Sequence, residues 1–277
     1  MDDEHLSGYV KNADFIVFCI CLLYNKNEVN LERQKKNEIR KEEMLLENLA
    51  IYRQRTRGFM FDSLPLAGPF ETNPGLWKKV NEKGLFVPFS GDTVVFQLDD
   101  AVRSRVKDLQ SILYEHCGNM LAEPLDPETF HVTLHDLSNG TAGYELEQQM
   151  AKNRESAGRI LRLIQMEATL PLRMRMVSVF NMVSMSVVLG LEPVDDLTCT
   201  RLMELYERLQ TVAALDYPLT LHITLGYYRP GRYSAEERWK LMDTFAQLNR
   251  EMNQEFYLNE NRLLYQRFED MNHYYHI

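Results

Sequence analysis

The stretch FHVTLHDL, residues 130–137, decides the fold, because the chain repeats its pattern later as LHITLGYY, residues 221–228. Each stretch has the order His-hydrophobic-Thr-Leu inside an apolar run that is typical of a β-strand. A repeated pattern of this kind indicates two related halves. We therefore expect each half to contain one strand with a His-x-Thr motif.

Length, composition and charge bound the kind of protein. The chain has 277 residues, of which 45% are hydrophobic and 26% are charged, enough for a full core in one large domain or two small ones. Its net charge of −9 argues against long nucleic acid as a partner, because clustered Lys and Arg drive that binding. A small phosphate ligand needs only a local pocket and is not excluded.

The cysteines and the apolar run near the start both bear on location. Cys19, Cys21, Cys117 and Cys199 lack metal-site spacing, and free thiols are typical of a reducing cytoplasm. The run FIVFCICLLY, residues 15–24, is shorter than the roughly 20 residues that span a bilayer. We expect a buried or edge strand in a cytoplasmic protein; the alternatives are a membrane-associated hairpin and a misassigned start.

Two segments precede the regular part of the chain. Residues 27–57 are dense in charge of both signs and contain no Pro or Gly, which predicts a long, mostly solvated helix closed by Gly58. We expect it to pack lightly on its own domain, with a partner-binding helix as the alternative. Residues 63–92 are rich in Gly and Pro and predict an extended loop, where we expect substrate selectivity to reside.

From Thr93 onward, strand and helix patterns alternate. Strands are predicted at 93–98, 129–137, 172–181, 184–194 and 219–228, helices at 100–118, 144–165, 195–212 and 234–253, a pair of strands or a hairpin at 255–268, and a last strand or frayed end at 271–277. The fold class is therefore α+β. We expect a bilobal, duplicated molecule in which two antiparallel sheets face a central cleft and the helices lie outside.

The alternation of side chains on a strand gives the repeated motif a chemical meaning. Residues two apart share a face, so His131 and Thr133 share one face and His222 and Thr224 share another. Near neutral pH one His can accept a proton while another donates one, and a Thr hydroxyl can donate to a phosphate oxygen. Two such pairs across a groove would catalyse displacement at phosphorus without a metal. A single His-x-Thr occurs by chance in many sequences. The prediction of a catalytic site therefore depends on the duplicated context of the motif.

Both stretches resemble the paired H-x-T/S-x signatures of the two-histidine (2H) phosphoesterase superfamily, which includes bacterial RNA 2′,3′-cyclic phosphodiesterases, also called 2′-5′ RNA ligases. The resemblance runs from about Phe89 to the C-terminus, and NPGLW…GLFVPFSGDTVVFQL is similar to the lead-in of a less characterised branch. It implies a bilobal fold and hydrolysis of a cyclic phosphodiester. Carried over, His131 and His222 are the acid–base pair, and Thr133 and Thr224 hold the phosphate.

Strand parity adds three candidate substrate-binding residues. His135 falls on the face of His131, Tyr228 follows Thr224 past Gly226 as a stacking platform for a base, and Arg229 beside it would contact a second phosphate.

The same parity bears on a metal alternative. His131, His135 and His222 together could hold zinc. Parity, however, points Asp136 away from His131 and His135, which leaves them without a carboxylate to orient them. We therefore predict no metal ligands.

The sequence thus predicts a metal-independent phosphoesterase in residues 63–277, preceded by an N-terminal extension, 1–62. The expected substrate is a cyclic 2′,3′-type or a 2′,5′-type phosphodiester in a nucleotide or short oligonucleotide. We expect no cofactor, no membrane or long nucleic acid partner, and a monomer. The alternatives are a non-catalytic protein that binds a phosphorylated ligand and a His-metal hydrolase. Which His is the base depends on the bond that is cut.

Overall fold

The computed structural model describes residues 47–61, 64–65, 67–167 and 171–276. They belong to one compact unit, Glu47–Ile277. The expectations for the apolar run at 15–24, for Cys19 and Cys21, and for most of the charged helix lie outside the described residues.

The described residues form five α-helices, six strands of six or more residues and four shorter strands. The helices are α1 (Leu49–Phe61), α2 (Asp100–Cys117), α3 (Tyr144–Met166), α4 (Asp196–Gln210) and α5 (Ala235–Leu248). The strands are β1 (Phe70–Glu71), β2 (Ser90–Gln97), β3 (His131–Gly140), β4 (Leu172–Met182), β5 (Ser186–Pro193), β6 (His222–Tyr227), β7 (Arg232–Tyr233), β8 (Glu255–Leu258), β9 (Leu263–Phe268) and β10 (Tyr274–His276).

Two antiparallel sheets of four strands form the two lobes, which confirms the predicted fold class. Lobe 1 has the order β10-β9-β2-β3, and lobe 2 has the order β6-β5-β4-β8. Residues 255–268 form a pair of strands rather than a hairpin, since β8 pairs with β4 in lobe 2 and β9 pairs with β2 in lobe 1. Each His-x-Thr strand, β3 or β6, is therefore an edge strand of its own lobe.

The duplication is visible in the order β2-α2-β3 and β5-α4-β6. Both helices begin in the same way, because the carboxylates of Asp99 and Asp195 each accept a backbone N–H of the first turn. The helices also cross between the lobes: α2 packs against β6, and α4 packs against β3. Each His-x-Thr strand is therefore supported by a helix that starts in the other half.

Helix α1 packs on lobe 2 more firmly than a lightly packed, solvated helix would. It continues through Gly58 to Phe61, and Tyr52, Thr56 and Met60 are buried against β4 and β5. Below it, the fully buried carboxylate of Glu192 receives two N–H donors of the Arg57 guanidinium. The predicted division of the chain at residues 62 and 63 stays a prediction, but this helix packs with lobe 2.

None of the helices in the described ranges is both long enough and apolar enough to cross a membrane.

Replacing Tyr52 with Phe tests the attachment of α1. The Tyr52 hydroxyl donates to the Leu191 carbonyl at 3.3 Å and accepts the Leu221 N–H at 3.2 Å. Because both backbone groups are buried, we expect Tyr52→Phe to lower the free energy of unfolding by about 1–3 kcal/mol, measured by urea denaturation. Tyr257→Phe, at an exposed tyrosine of β8, is the control. Equal stabilities of the two variants would contradict the prediction.

Candidate functional site

The edge strands β3 and β6 lie next to each other, and both line one cavity of about 180 Å³. The four residues predicted to be catalytic, His131, Thr133, His222 and Thr224, all line it. They are half-buried, while the alternate residues Val132 and Ile223 are in the core. The structure therefore brings the two motifs together in one place, with the spacing of two residues that a strand requires.

The two imidazoles are held in the same way. Nδ1 of His131 lies 2.6 Å from the Thr129 carbonyl oxygen, and Nδ1 of His222 lies 2.8 Å from the Thr220 carbonyl oxygen. Since a carbonyl oxygen can only accept, Nδ1 is the protonated nitrogen in each ring. This fixes the tautomer and leaves Nε2 as the nitrogen that can exchange a proton with a ligand.

Burial lowers the pKa of both histidines, which favours their neutral forms. The carbonyl hydrogen bonds and the negative charge of Asp136 act in the opposite direction on both rings. The ammonium of Lys79 further lowers the pKa of His222, and the charge of His222 further lowers that of His131. The two rings therefore oppose simultaneous protonation, as an acid–base pair requires.

Each strand has a β-bulge directly after its His-x-Thr. Against β2, Thr133 pairs with Val95 and His135 with Val94, so Leu134 is an extra residue. Against β5, Thr224 pairs with Val188 and Gly226 with Val187, so Leu225 is the extra residue. Both leucines are buried in the core. One extra residue reverses the alternation of side chains beyond it.

Hydrogen bonds from side chains stabilise both bulges. The Gln110 amide, from α2, donates to the Leu225 carbonyl at 3.0 Å. In the other half, the Thr93 hydroxyl donates to the His135 carbonyl at 3.0 Å. Buried carbonyls that a regular ladder would pair are thus satisfied from neighbouring elements.

The bulge in β3 corrects the expectation for Asp136. Simple alternation points its side chain away from the histidines, yet Asp136 lines the cavity and acts on both rings. Its Oδ2 accepts a hydrogen bond from the Tyr217 hydroxyl at 2.9 Å. Side chains alternate strictly only in a regular strand, and nothing in the local sequence marks the bulge.

The bulge in β6 has the same effect on the tyrosines. Tyr227, rather than Tyr228, lines the cavity. Tyr228 is fully buried, with its ring 5.5 Å from that of Phe70. Arg229 is exposed, and its guanidinium lies beside Gly84. The structure therefore does not bring Tyr228 and Arg229 to the cavity.

The space beside Gly226 is filled by α2. A Cβ at this position would lie 2.7 Å from the Tyr114 hydroxyl oxygen of α2. The glycine therefore permits close packing of α2 on β6.

His135 forms part of the cavity wall but is nearly fully buried. Its Nδ1 donates to the Asp136 carbonyl at 2.6 Å, and its ring lies 5.0 Å from that of Tyr206 in α4. Its contribution to substrate binding stays a prediction. Within the part of the chain that the structure describes, no three His, Cys, Asp or Glu side chains come together as a metal site, so the three-histidine arrangement is not formed.

Sequence patterns missed several other residues of the cavity wall. Tyr274 of the C-terminal strand lies with its ring 5.1 Å from the His131 ring, and Lys79 comes from the loop before β2. The aromatic residues that line the cavity are Phe130, Tyr206, Tyr217, Tyr227, Phe268 and Tyr274. The pair of tyrosines in HYYH, residues 273–276, was a local signal for Tyr274, and Lys79 had none.

No family model and no curated protein matches this sequence, but solved structures resemble it. A conserved protein of unknown function from Agrobacterium tumefaciens is similar over 75% of this chain and 93% of its own, with a TM-score of 0.55 and 16% identity. LigT of Escherichia coli in complex with 3′-AMP is similar over 68% and 95%, with a TM-score of 0.43 and 11% identity. The first likeness supports the fold and does not extend to the reaction.

The fixed tautomers can be tested by ¹⁵N NMR of labelled histidine, with His131→Ala and His222→Ala for assignment. We expect both rings to be neutral at pH 7 with the proton on Nδ1, and to protonate only below the ordinary imidazole value of 6.5. At those pH values the histidines bind protons in the unfolded chain but not in the folded chain. The free energy of unfolding therefore falls as the pH falls below that value. A proton on Nε2 in either ring would contradict the geometry.

Proposed function

We propose that this protein is a phosphoesterase that hydrolyses a cyclic 2′,3′-type or a 2′,5′-type phosphodiester in a nucleotide or short oligonucleotide. One observation supports it above all. Two His-x-Thr pairs from two lobes line one cavity, and both imidazoles are oriented through Nδ1 by a carbonyl two residues earlier. Such matched orientation suits a reaction in which one ring takes a proton and the other gives one.

In the proposed reaction, a neutral histidine takes a proton from water at Nε2 while the water oxygen attacks phosphorus. The other histidine, protonated at both nitrogens, gives its Nε2 proton to the leaving ribose oxygen as that P–O bond breaks. The product is a phosphomonoester, and the rings return to their starting states by exchanging a proton with solvent. The hydroxyls of Thr133 and Thr224 hold the non-bridging oxygens, so the chemistry requires no metal.

Asp136 has a defined part in this proposal. Burial alone favours two neutral rings, whereas the reaction needs one of them protonated. The carbonyl hydrogen bonds and, after them, the carboxylate of Asp136 act against the burial by raising the pKa of both rings, which stays below the ordinary value. The hydroxyl of Tyr217 holds it in place at 2.9 Å. Asp136 is thus a positioning residue that raises the working pH.

Removal of either histidine tests the reaction directly. We expect His131→Ala and His222→Ala each to lower the turnover of 2′,3′-cyclic nucleotides or 2′,5′-linked dinucleotides in EDTA by about 10²- to 10⁴-fold, the usual value of one acid–base group. His116→Ala, at a histidine of α2 outside the cavity, is the matched control. Binding by the wild type without any turnover of this panel would favour a non-catalytic phosphate-binding protein. Activity that EDTA abolishes would favour a metal-dependent hydrolase.

Removal of the Asp136 charge tests the proposed pH dependence. Since Asp136 raises the pKa of both histidines, Asp136→Asn lowers both. We therefore expect the bell-shaped profile of kcat/KM to move as a whole toward lower pH, with the larger loss of rate on its alkaline side. Asp108→Asn, at an exposed residue of α2, leaves the profile in place. A loss of rate that is uniform across pH would assign Asp136 a purely structural part.

A further inference from the structure

Lys79 places a positive charge in the cavity on the side of His222. It lines the cavity together with Tyr227 of β6, and its charge lowers the pKa of His222. The residue comes from the loop at 63–92, not from either His-x-Thr strand. The two halves of the cleft therefore differ at this point, although their histidines are held alike.

The ammonium of Lys79 is held by rings rather than by a carboxylate. Its Nζ lies 5.1 Å from the ring centroid of Phe89 and 5.3 Å from that of Tyr227. Among the described residues, no Asp or Glu oxygen lies within 4.0 Å of it. Cation–π contacts fix the position of an ammonium without using its N–H donors on an anion. Within the part of the chain that the structure describes, Lys79 is therefore a cation held in position without an anionic partner.

The backbone around Lys79 is ordered by its own hydrogen bonds. Val80 pairs with Phe86 in an antiparallel bridge, and the Val87 N–H donates to the Lys79 carbonyl at 3.0 Å. The Asn81 side chain accepts the Lys83 and Leu85 N–H groups. The loop from 79 to 87 is thus a closed turn that presents Lys79 in one position.

Contacts to the adjoining segment attach this turn to the fold. The Glu123 carboxylate accepts the Phe86 N–H at 2.6 Å, and the Glu123 N–H donates to the Gly84 carbonyl at 2.7 Å. Gly84 has a φ of +80°, and a Cβ there would lie 3.0 Å from the Arg229 Nε. A glycine is therefore required where the turn meets Arg229. A cation fixed before the ligand arrives costs little ordering on binding.

Lys79 is displaced along the cleft from the groups that hold the reacting phosphate. Tyr227, whose ring contacts its ammonium, lies beyond Thr224 in β6 by two positions of the ladder with β5, since Leu225 is an extra residue, which is about 7 Å along a strand. The other charged group in this wall, Asp136, is repulsive to a phosphate and is bonded to Tyr217. An anion bound at Lys79 would therefore occupy a different position in the cleft from the phosphate between the two histidines.

We infer that Lys79 and Tyr227 form a second anion subsite, so that the cleft takes a nucleotide carrying a phosphate in addition to the one that reacts. This inference rests on the proposed function, because it assumes that the first phosphate lies between His131 and His222. The second phosphate is either a terminal group on the same nucleoside or the internucleotide linkage of an oligonucleotide. Both present the same chemistry to an ammonium.

The test is isothermal titration calorimetry at fixed ionic strength with three adenine ligands. They are adenosine 3′-phosphate, adenosine 3′,5′-bisphosphate and a 3′-phosphorylated diadenosine. We expect the wild type to bind at least one of the two-phosphate ligands about tenfold or more tightly than the monophosphate, the value of one charge-assisted contact. The ligand that gains identifies the source of the second phosphate.

Substitutions in the same loop separate the subsite from general charge. Lys79→Met is expected to abolish the preference, and Lys79→Arg, which keeps the charge, to retain most of it. Lys83→Met is the matched control, since Lys83 is exposed in the same turn and outside the cavity. Absence of a preference in the wild type, a preference that survives in Lys79→Met, or equal losses in Lys79→Met and Lys83→Met would each overturn the inference.

Failure of this inference can be distinguished from failure of the proposed function. Turnover of cyclic nucleotides without a preference for a second phosphate would leave the hydrolase standing and remove the subsite. A preference that depends on Lys79 without any turnover would support the subsite and remove the catalytic step. Lack of binding by all three ligands together with lack of turnover would overturn both.

Discussion

The bulge directly after each His-x-Thr, at Leu134 in β3 and at Leu225 in β6, determines what the cleft contains. The histidines and threonines come before the bulges and face the cavity as regular strand residues do. The residues directly after these two leucines are turned by one position, so that Asp136 and Tyr227 enter the cavity; in β3 a second extra residue, Leu137, follows. The bulges depend in turn on buried hydrogen bonds from Gln110 and Thr93. Without these, the carbonyls would be left unpaired in the core.

The two halves are alike in how they hold the histidines and different in what surrounds them. The first residue after the bulge is His135 in one half and Gly226 in the other. The second is Asp136 in one half and Tyr227 in the other. Gly226 allows Tyr114 of α2 to pack closely, while the ring of His135 packs against Tyr206 of α4. The common part suits proton transfer in either direction, and the different parts suit recognition of an asymmetric ligand.

Local patterns in the sequence predicted what depends on local physics. Alternation and capping located the helices and strands, and the repeat identified His131, Thr133, His222 and Thr224 as the residues of one cavity. The same alternation misplaced Asp136 and Tyr228, because a bulge is set by the partner strand and by Gln110 or Thr93 from elsewhere in the chain. Lys79 could not be found, since its position depends on Phe89 and Tyr227, and the latter is far away in sequence.

The exchange of helices between the halves has a consequence for motion. Because α2 supports β6 and α4 supports β3, opening the lobes would uncover the core behind both strands at once. Hinge bending needs an interface that can separate at low cost, and this one is continuous with the interior. Under the proposed function, a ligand would therefore enter a groove whose width is already set, and selectivity would depend on fit to an existing shape rather than on closure around the bound molecule.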